Sequence, residues 1–246
     1  MKMSVIICTH NSDNYVYLAQ AIQSVLKQTR PVQEIIVVSD GNLEVYNRLR
    51  HEYAQQPLVI PALQEPNAGI SAARNTGISI STGDIIAFID DDAVADQDWI
   101  SILMTTYTEF EHVAVGGKVL PLWQKSPPRY LPKELYWLVG VTHQGFGHDK
   151  VTEVRNTFGP NMSFRRDVFR KAGGFNISFG FNRRGAVLLQ AEEAEFTLRM
   201  KHIYGCGVLY QPAAVVYHNV SANKTKPLVL LRRAYFQGYS KALISK

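Results

Sequence analysis

Five apolar residues, Ile85-Ile86-Ala87-Phe88-Ile89, run unbroken into three acidic ones, Asp90-Asp91-Asp92. A short apolar run without alternation predicts a strand covered on both faces, as in parallel sheets. Met3–Thr9 and Glu34–Ser39 are similarly rich in Val and Ile, and further strands are expected over Leu58–Ile60 and Val113–Val119. Helical patterns lie between them. Tyr15, Leu18, Ile22 and Val25 recur at helical spacing, with Asp13 as a cap and Pro31 beyond the end. Helices are also expected over Leu43–Ala54 and Ile70–Ile80, and Asp96 or Asp98 is placed to cap one starting near Trp99. Alternating strands and helices predict a doubly wound α/β unit over about residues 1–120.

The acids at the end of the run carry the functional signal. Neighbouring carboxylates repel, which raises their pKa values unless a cation offsets them. Mg²⁺ or Mn²⁺ is the natural neutraliser for such oxygen ligands. Ligands of open α/β sheets bind at the C-terminal ends of strands, where these acids fall. A single Asp there reads first as a turn or helix cap. Three in a row, delivered by a strand, favour a site.

The chain of 246 residues is 46% apolar and 19% charged, enough for a core without staples, in one large α/β domain or two small ones. Cys8 and Cys206 have no metal or redox spacing; Cys8 reads as core, and a reducing cytosol is expected. No apolar run reaches the ~20 residues of a membrane span. Met1-Lys2-Met3 leads straight into a strand, so no signal peptide is expected. The net charge of +5 suits anionic partners. No motif supports a nucleic-acid partner, and none is expected.

Beyond residue 120 the pattern changes. Residues 121–158 carry Pro121, Pro127, Pro128 and Pro132 among Trp123, Tyr130, Tyr136 and Trp137, which predicts irregular loops with one short helix. Strands are expected over Asn161–Phe164 and Gly207–Tyr210, and helices over Ala191–Ile203 and Leu228–Ile244. The last helix and its approach carry Lys224, Lys226, Arg232, Arg233 and Lys241 beside Leu228, Leu231, Tyr235, Phe236 and Leu243. Such faces suit either packing on the main domain or peripheral contact with a membrane surface. The chain ends at Lys246 inside a helical pattern, which leaves a continuation of the natural protein open.

Several strand ends carry polar groups. Thr9, His10 and Asn11 close the first strand, and Ser39-Asp40-Gly41-Asn42 closes the second, on the same edge as Asp90. They could read a nucleotide base and ribose, although Asp-Gly is also a turn dipeptide. In Pro66-Asn-Ala-Gly-Ile-Ser-Ala-Ala-Arg-Asn-Thr-Gly77, Asn67 and Gly69 form a turn opening a helix, with Arg74 one turn inside. Arg74 either reaches a base carbonyl or phosphate, or is a surface residue with a local carboxylate.

Together, Thr-His-Asn, Ser-Asp-Gly, Asn-Ala-Gly…Ala-Arg-Asn-Thr-Gly and Phe-Ile-Asp-Asp-Asp resemble family 2 glycosyltransferases of the GT-A fold. Phe158-Gly-Pro-Asn-Met-Ser-Phe-Arg-Arg166 with Gly173-Gly-Phe175, Ala191-Glu-Glu-Ala-Glu-Phe-Thr-Leu-Arg199 and Tyr210-Gln-Pro-Ala-Ala-Val-Val-Tyr-His218 continue the resemblance in order. It implies a Rossmann-like, mostly parallel central sheet flanked by helices, in one domain over residues 1–246. A nucleotide-sugar half would run to about 120, an acceptor-side half to about 226, and a C-terminal helix would follow. It also implies an inverting enzyme, a nucleotide-sugar donor with UDP favoured, a Mn²⁺ or Mg²⁺ ion, and a saccharide or lipid-linked acceptor. The location implied is cytoplasmic, with peripheral contact at the inner face of the membrane open.

By position, Asp40 and Arg74 would contact the base, with Thr9, Asn11, Asn67, Gly69 and Asp91 around the donor. Asp90 would face the ribose or the metal shell, and Asp92 and His218 would bind the metal. Asn161, Met162, Glu192 and Trp137 fall on the acceptor or donor-sugar side, and Arg232 or Arg233 could reach the diphosphate. Glu193 takes the place of the general base, where the family usually has Asp. Glu195 is spaced to pair with Arg199. Phe179-Gly-Phe-Asn-Arg-Arg-Gly185 reads as a closing loop or as plain surface. Two rivals remain. Asp90-Asp-Asp-Ala-Val94 also fits the start of a haloacid-dehalogenase-like phosphatase, and a catalytically silent nucleotide-sugar or membrane-binding subunit would keep the same fold.

Overall fold

The computed structural model describes residues 1–180 and 189–244. The expected loop over Phe179–Gly185 therefore lies outside the described residues beyond Gly180. In chain order the elements are β1 (Met3–Thr9), α1 (Tyr15–Leu26), β2 (Glu34–Asp40), α2 (Leu43–Glu52), β3 (Val59–Gln64), α3 (Ile70–Ile80), β4 (Ile85–Asp90), β5 (Ala93–Ala95), α4 (Trp99–Glu109), β6 (Ala114–Trp123), β7 (Thr152–Val154), β8 (Met162–Arg165), α5 (Arg166–Ala172), α6 (Glu192–Tyr204), β9 (Val208–Val220) and α7 (Pro227–Ile244). Among the described residues, the nine strands join one sheet in the order β3-β2-β1-β4-β8-β6-β9-β5, with β7 also on β9. The strands β3, β2, β1 and β4 are parallel. β8 is antiparallel to both β4 and β6, and β6 runs parallel to β9.

The unbroken apolar runs have a plain cause. Val5, Ile7, Ala87 and Ile89 pack against Leu18, Ile22, Trp99 and Leu103 on one face of the sheet. Ile6, Ile86 and Phe88 pack against Ala73, Phe169, Phe196 and Met200 on the other. Both faces are buried, so neither can carry the polar half of an alternating pattern. Cys8 belongs partly to this second core, as expected, and its thiol is pushed up to about 12 by burial.

Some local expectations change. Asp13 does not cap α1; Asn11 Oδ1 accepts from Asp13 N at 3.0 Å and caps a single 3-10 turn that leads into the helix. Asp98 holds the cap position of α4 without a side-chain cap bond, while Asp96 Oδ1 accepts from Asp98 N at 3.2 Å. β3, β6 and β9 extend further than expected, and β5 and β7, three residues each, are too short to show a period. The irregular segment holds 3-10 turns over Lys133–Val139 and Phe146–Asp149. A third cluster, with Val119, Leu138, Val139, Val220 and Leu230, ties this segment to the start of α7. No helix among the described residues is long and apolar enough to cross a membrane.

Candidate active site

A cavity of about 920 Å³ opens where β1, β2 and β4 end. Its sheet-side wall is Thr9, Asp40 and Asp90 to Asp92; Trp137, Phe158 and Gly159 face it, with Glu192 and Glu193 from α6.

Asp40 is buried, and its two carboxylate oxygens accept from Ala68 N and Gly69 N, each at 2.9 Å. Its carbonyl accepts from Asn67 Nδ2 at 2.8 Å. Gly41 has φ +68°, and a Cβ there would lie 2.6 Å from Asn67 N. The Asp-Gly turn and the loop before α3 thus form one bonded unit, which only glycine permits.

Arg74 is 3% exposed, so the surface reading of it fails. Its guanidinium lies 3.1 Å from Glu192 Oε1, 3.6 Å from Glu193 Oε1 and 4.0 Å from Asp90 Oδ1. A buried cation needs such partners, because desolvating it alone costs several kcal/mol. Arg74 therefore joins β4 to the mouth of α6. Burial and the charge of Glu193 raise the Glu192 carboxyl above the usual range. Glu193 is the more accessible, with 20% of its side chain exposed against 6% for Glu192.

The three aspartates divide by environment. Burial pushes Asp91 up to about 7, with the charges of Asp92 and Asp90 adding to the effect. Burial also raises Asp90, against the pull of Arg74. Burial opposes the charged form of Asp92 too, but His218 and Lys224 outweigh it and hold this carboxyl well below the usual range. His218 Nε2 lies 3.1 Å from Asp92 Oδ1. Its ring backs onto Gly140, where a Cβ would stand 3.0 Å from Cε1, and its buried Nδ1 has no partner. Asp90, Asp92 and His218 each offer an atom within 4.8 Å of the others. Two carboxylates and an imidazole are a donor set that could hold a divalent ion.

The sequence model of Glycosyl transferase family 2 matches residues 4–173. The glucosyl-dolichyl phosphate glucuronosyltransferase of Haloferax volcanii is 40% identical over 99% of this chain and 77% of its own length. The chain belongs to glycosyl transferase family 2. It is a glycosyltransferase, and the phosphatase reading of Asp90 falls with that assignment. The succinoglycan biosynthesis protein ExoM of Rhizobium meliloti is 26% identical over 97% of this chain and 73% of its own. Among solved structures, S. aureus TarS 1–349 superposes with a TM-score of 0.66 at 18% identity, over 89% of this chain and 60% of TarS 1–349. That likeness bears out the α/β GT-A fold with a mostly parallel central sheet. The chain thus spans about 60% of that solved chain.

Not every residue expected at the site of this family 2 glycosyltransferase lines the cavity. Asn161 is fully buried; its Nδ2 donates to Lys118 O and Ala214 O, both at 2.9 Å, and its Oδ1 accepts from Trp99 Nε1. Those carbonyls flank the irregularity between β6 and β9, so Asn161 stitches the sheet rather than facing an acceptor. Met162 is core. Asn11 is spent on its turn, and Gly69 stands behind Asp40. Arg232 lies outside, over Phe236, whereas Arg233 lines the cavity and donates to Leu138 O at 2.9 Å. Glu195 pairs with Arg199 at 2.7 Å, as its spacing suggested.

Two contributors escaped sequence reasoning. A Cβ on Gly159 would stand 2.5 Å from Glu193 Oε1 and 2.8 Å from Arg74 Nη2, so glycine lets the chain pass over the carboxylate pair. The Phe158–Arg166 motif contains it, but nothing in that motif announces a contact with α6. Lys224 Nζ lies 2.7 Å from Asp92 Oδ2, and nothing in its turn-like surroundings marks it.

Helix α7 is amphipathic in an inverted sense. Arg233, Gln237 and Lys241, four residues apart, line the cavity, while Leu228, Leu231, Tyr235 and Tyr239 are exposed on the opposite side.

Proposed function

We propose that the protein moves a sugar from a nucleoside-diphosphate donor, UDP favoured, to a hydroxyl of a glycan or lipid-linked saccharide, with inversion. The observation that carries this reading is the Arg74 network. It joins Asp90, at the strand-end acids, to Glu193, at the mouth of α6, across one cavity floor. The acceptor oxygen would attack the anomeric carbon as the sugar–phosphate bond breaks, and Glu193 would take the hydroxyl proton. Glu192, the more buried of the two and bonded to Arg74 at 3.1 Å, is the less accessible base. Arg74 would position both carboxylates rather than read the base directly.

Asp92 and His218, with Asp90 in reach, would hold the Mn²⁺ or Mg²⁺ ion. That ion, when bound, supplies Lewis-acid stabilisation of the leaving diphosphate. Thr9, Asp40 and Asn67 would line the nucleotide end, with Asp91 beside them, and Trp137 the sugar side. Arg233 lies in the same cavity, suitably charged for the diphosphate.

The relatives support the substrate classes. TarS 1–349 has been solved with UDP and with UDP-GlcNAc. The Haloferax relative is named for glucuronosyl transfer and a dolichyl phosphate-linked sugar. A lipid-borne acceptor also suits the outward apolar stripe of α7, which would rest on a membrane surface. The continuous sheet supports reading residues 1–246 as one domain, its nucleotide-sugar half ending near 120 and its C-terminal helix starting near 227.

The test is a panel of nucleotide sugars and saccharide acceptors with Mn²⁺, followed by NMR of the product's anomeric configuration. The expected result is nucleoside diphosphate release coupled to an inverted glycoside. Binding of UDP without turnover of any donor would return the chain to the silent-subunit reading.

A further inference from the structure

Lys224 sits in the turn between β9 and α7, held by a bond from its own N–H to Ser221 O at 3.0 Å. Its side chain reaches back into the cavity. Nζ lies 2.7 Å from Asp92 Oδ2, 3.2 Å from His218 Nε2 and 3.0 Å from Asn219 O. An ammonium has only protons to offer, so it engages the carboxylate through a lone pair and, in the tautomer that carries the ring proton on Nδ1, Nε2 of the imidazole as well. Those are the same lone pairs that a divalent ion would need. Ammonium and metal cannot hold Asp92 Oδ2 and His218 Nε2 together.

Resting on the metal-dependent reading above, we infer that Lys224 is a tethered counter-ion of the Asp92–His218 site, which the divalent ion must displace and which then pairs with the donor diphosphate. The turn that carries it is short and joins directly to α7, whose Arg233 already lines the cavity. A displaced ammonium would still be anchored within reach of that space. One charged side chain thereby links metal binding to donor binding: it weakens the ion's hold on the free enzyme and strengthens the enzyme's hold on the metal–nucleotide pair. No bond is made or broken; only ionic partners are exchanged.

Lys224→Met keeps the length and removes the charge, so it should move two affinities in opposite directions. Without nucleotide, Mn²⁺ binding read by electron paramagnetic resonance should tighten by about tenfold or more. At saturating Mn²⁺, UDP binding read by calorimetry should weaken by about tenfold. Lys224→Arg, which keeps the charge, should stay near wild type in both and guards against a folding defect. Unchanged Mn²⁺ affinity in a folded Lys224→Met protein would overturn the inference while leaving the metal reading intact. Absence of Mn²⁺ binding in wild type and both variants, with or without UDP, would overturn the metal reading and this inference with it.

Discussion

The two ends of the cavity are built in different ways. At the proposed nucleotide end, Thr9, Asp40 and Asp90 are each the last residue of a parallel strand, and the sheet itself fixes their spacing. At the other end, Trp137, Gly159 and Glu193 come from two 3-10 turns and the first turn of α6. No ladder of backbone bonds relates them to one another. What fixes them is side-chain chemistry: Arg74 on Glu192 and Glu193, Arg233 on Leu138 O, and Gly159 lying against the carboxylates. The nucleotide end should therefore tolerate loss of single side chains as a binding defect. The acceptor end should respond as a catalytic one.

Glu193→Gln is the sharpest way to separate the two. The amide keeps the volume and loses the base, so turnover should fall by about a thousandfold. UDP affinity by calorimetry should stay near wild type, because the nucleotide end is untouched. Glu192→Gln should cost far less, since that carboxyl is the more buried of the two and the farther from solvent. Equal losses in the two variants would break the assignment of the base.

Gly159→Ala probes the same end without removing any functional group. Its methyl would need to displace Glu193 Oε1, 2.5 Å away, and the Arg74 guanidinium. Displacing a catalytic group by about 1 Å can cost on the order of a hundredfold in rate. The expected outcome is a fall of that order in kcat with unchanged UDP affinity. A variant with wild-type kcat would show that Glu193 does not need the position seen here.

The same contrast explains what could be read from the chain. Asp40 and Asp90 were legible because each follows an apolar run whose burial on both faces leaves one register for its last residue. The Arg74–Glu192 pair is separated by 118 positions, and no local pattern announces a contact at that distance. Arg74 itself stood out as a charge in an apolar helix, yet its burial was not visible. Asn161 misled in the opposite way. It lies inside a motif of the family resemblance, but its amide serves the backbone carbonyls left by the β6–β9 irregularity, which only the folded sheet reveals. The chemistry of Asp92 was legible as a need for a cation; the lysine that meets it lies 132 residues away.

Asn161→Ala tests this sheet-stitching role. It would leave the Trp99 N–H and two carbonyls without their partners in a fully buried position. Unpaired buried groups of this kind cost about 1–3 kcal/mol each, so a loss of about 3 kcal/mol in urea-determined stability is expected. KM for the acceptor should not move under conditions where the variant is folded. A raised acceptor KM with full stability would restore Asn161 to the acceptor side and weaken the contrast between the two ends.

The smallest effect tests the rigidity of the nucleotide end. Glu34 is buried at the start of β2 and accepts from Ser4 Oγ at 2.6 Å and from Thr82 N and Oγ1. Burial opposes its charge, but these donors win and hold its carboxyl below the ordinary value of 4.5. A carboxylate with a depressed folded pKa contributes stability above the unfolded value and loses it as the pH falls through the folded one. Glu34→Gln should therefore cost about 1 kcal/mol at pH 7. The gap between variant and wild type should narrow as the solution is acidified below 4.5. Urea midpoints of the two proteins across that range measure the gap directly. A gap that stays constant with pH would mean that Glu34 acts by shape alone, and that the parallel strands hold Thr9, Asp40 and Asp90 in place without this buried charge.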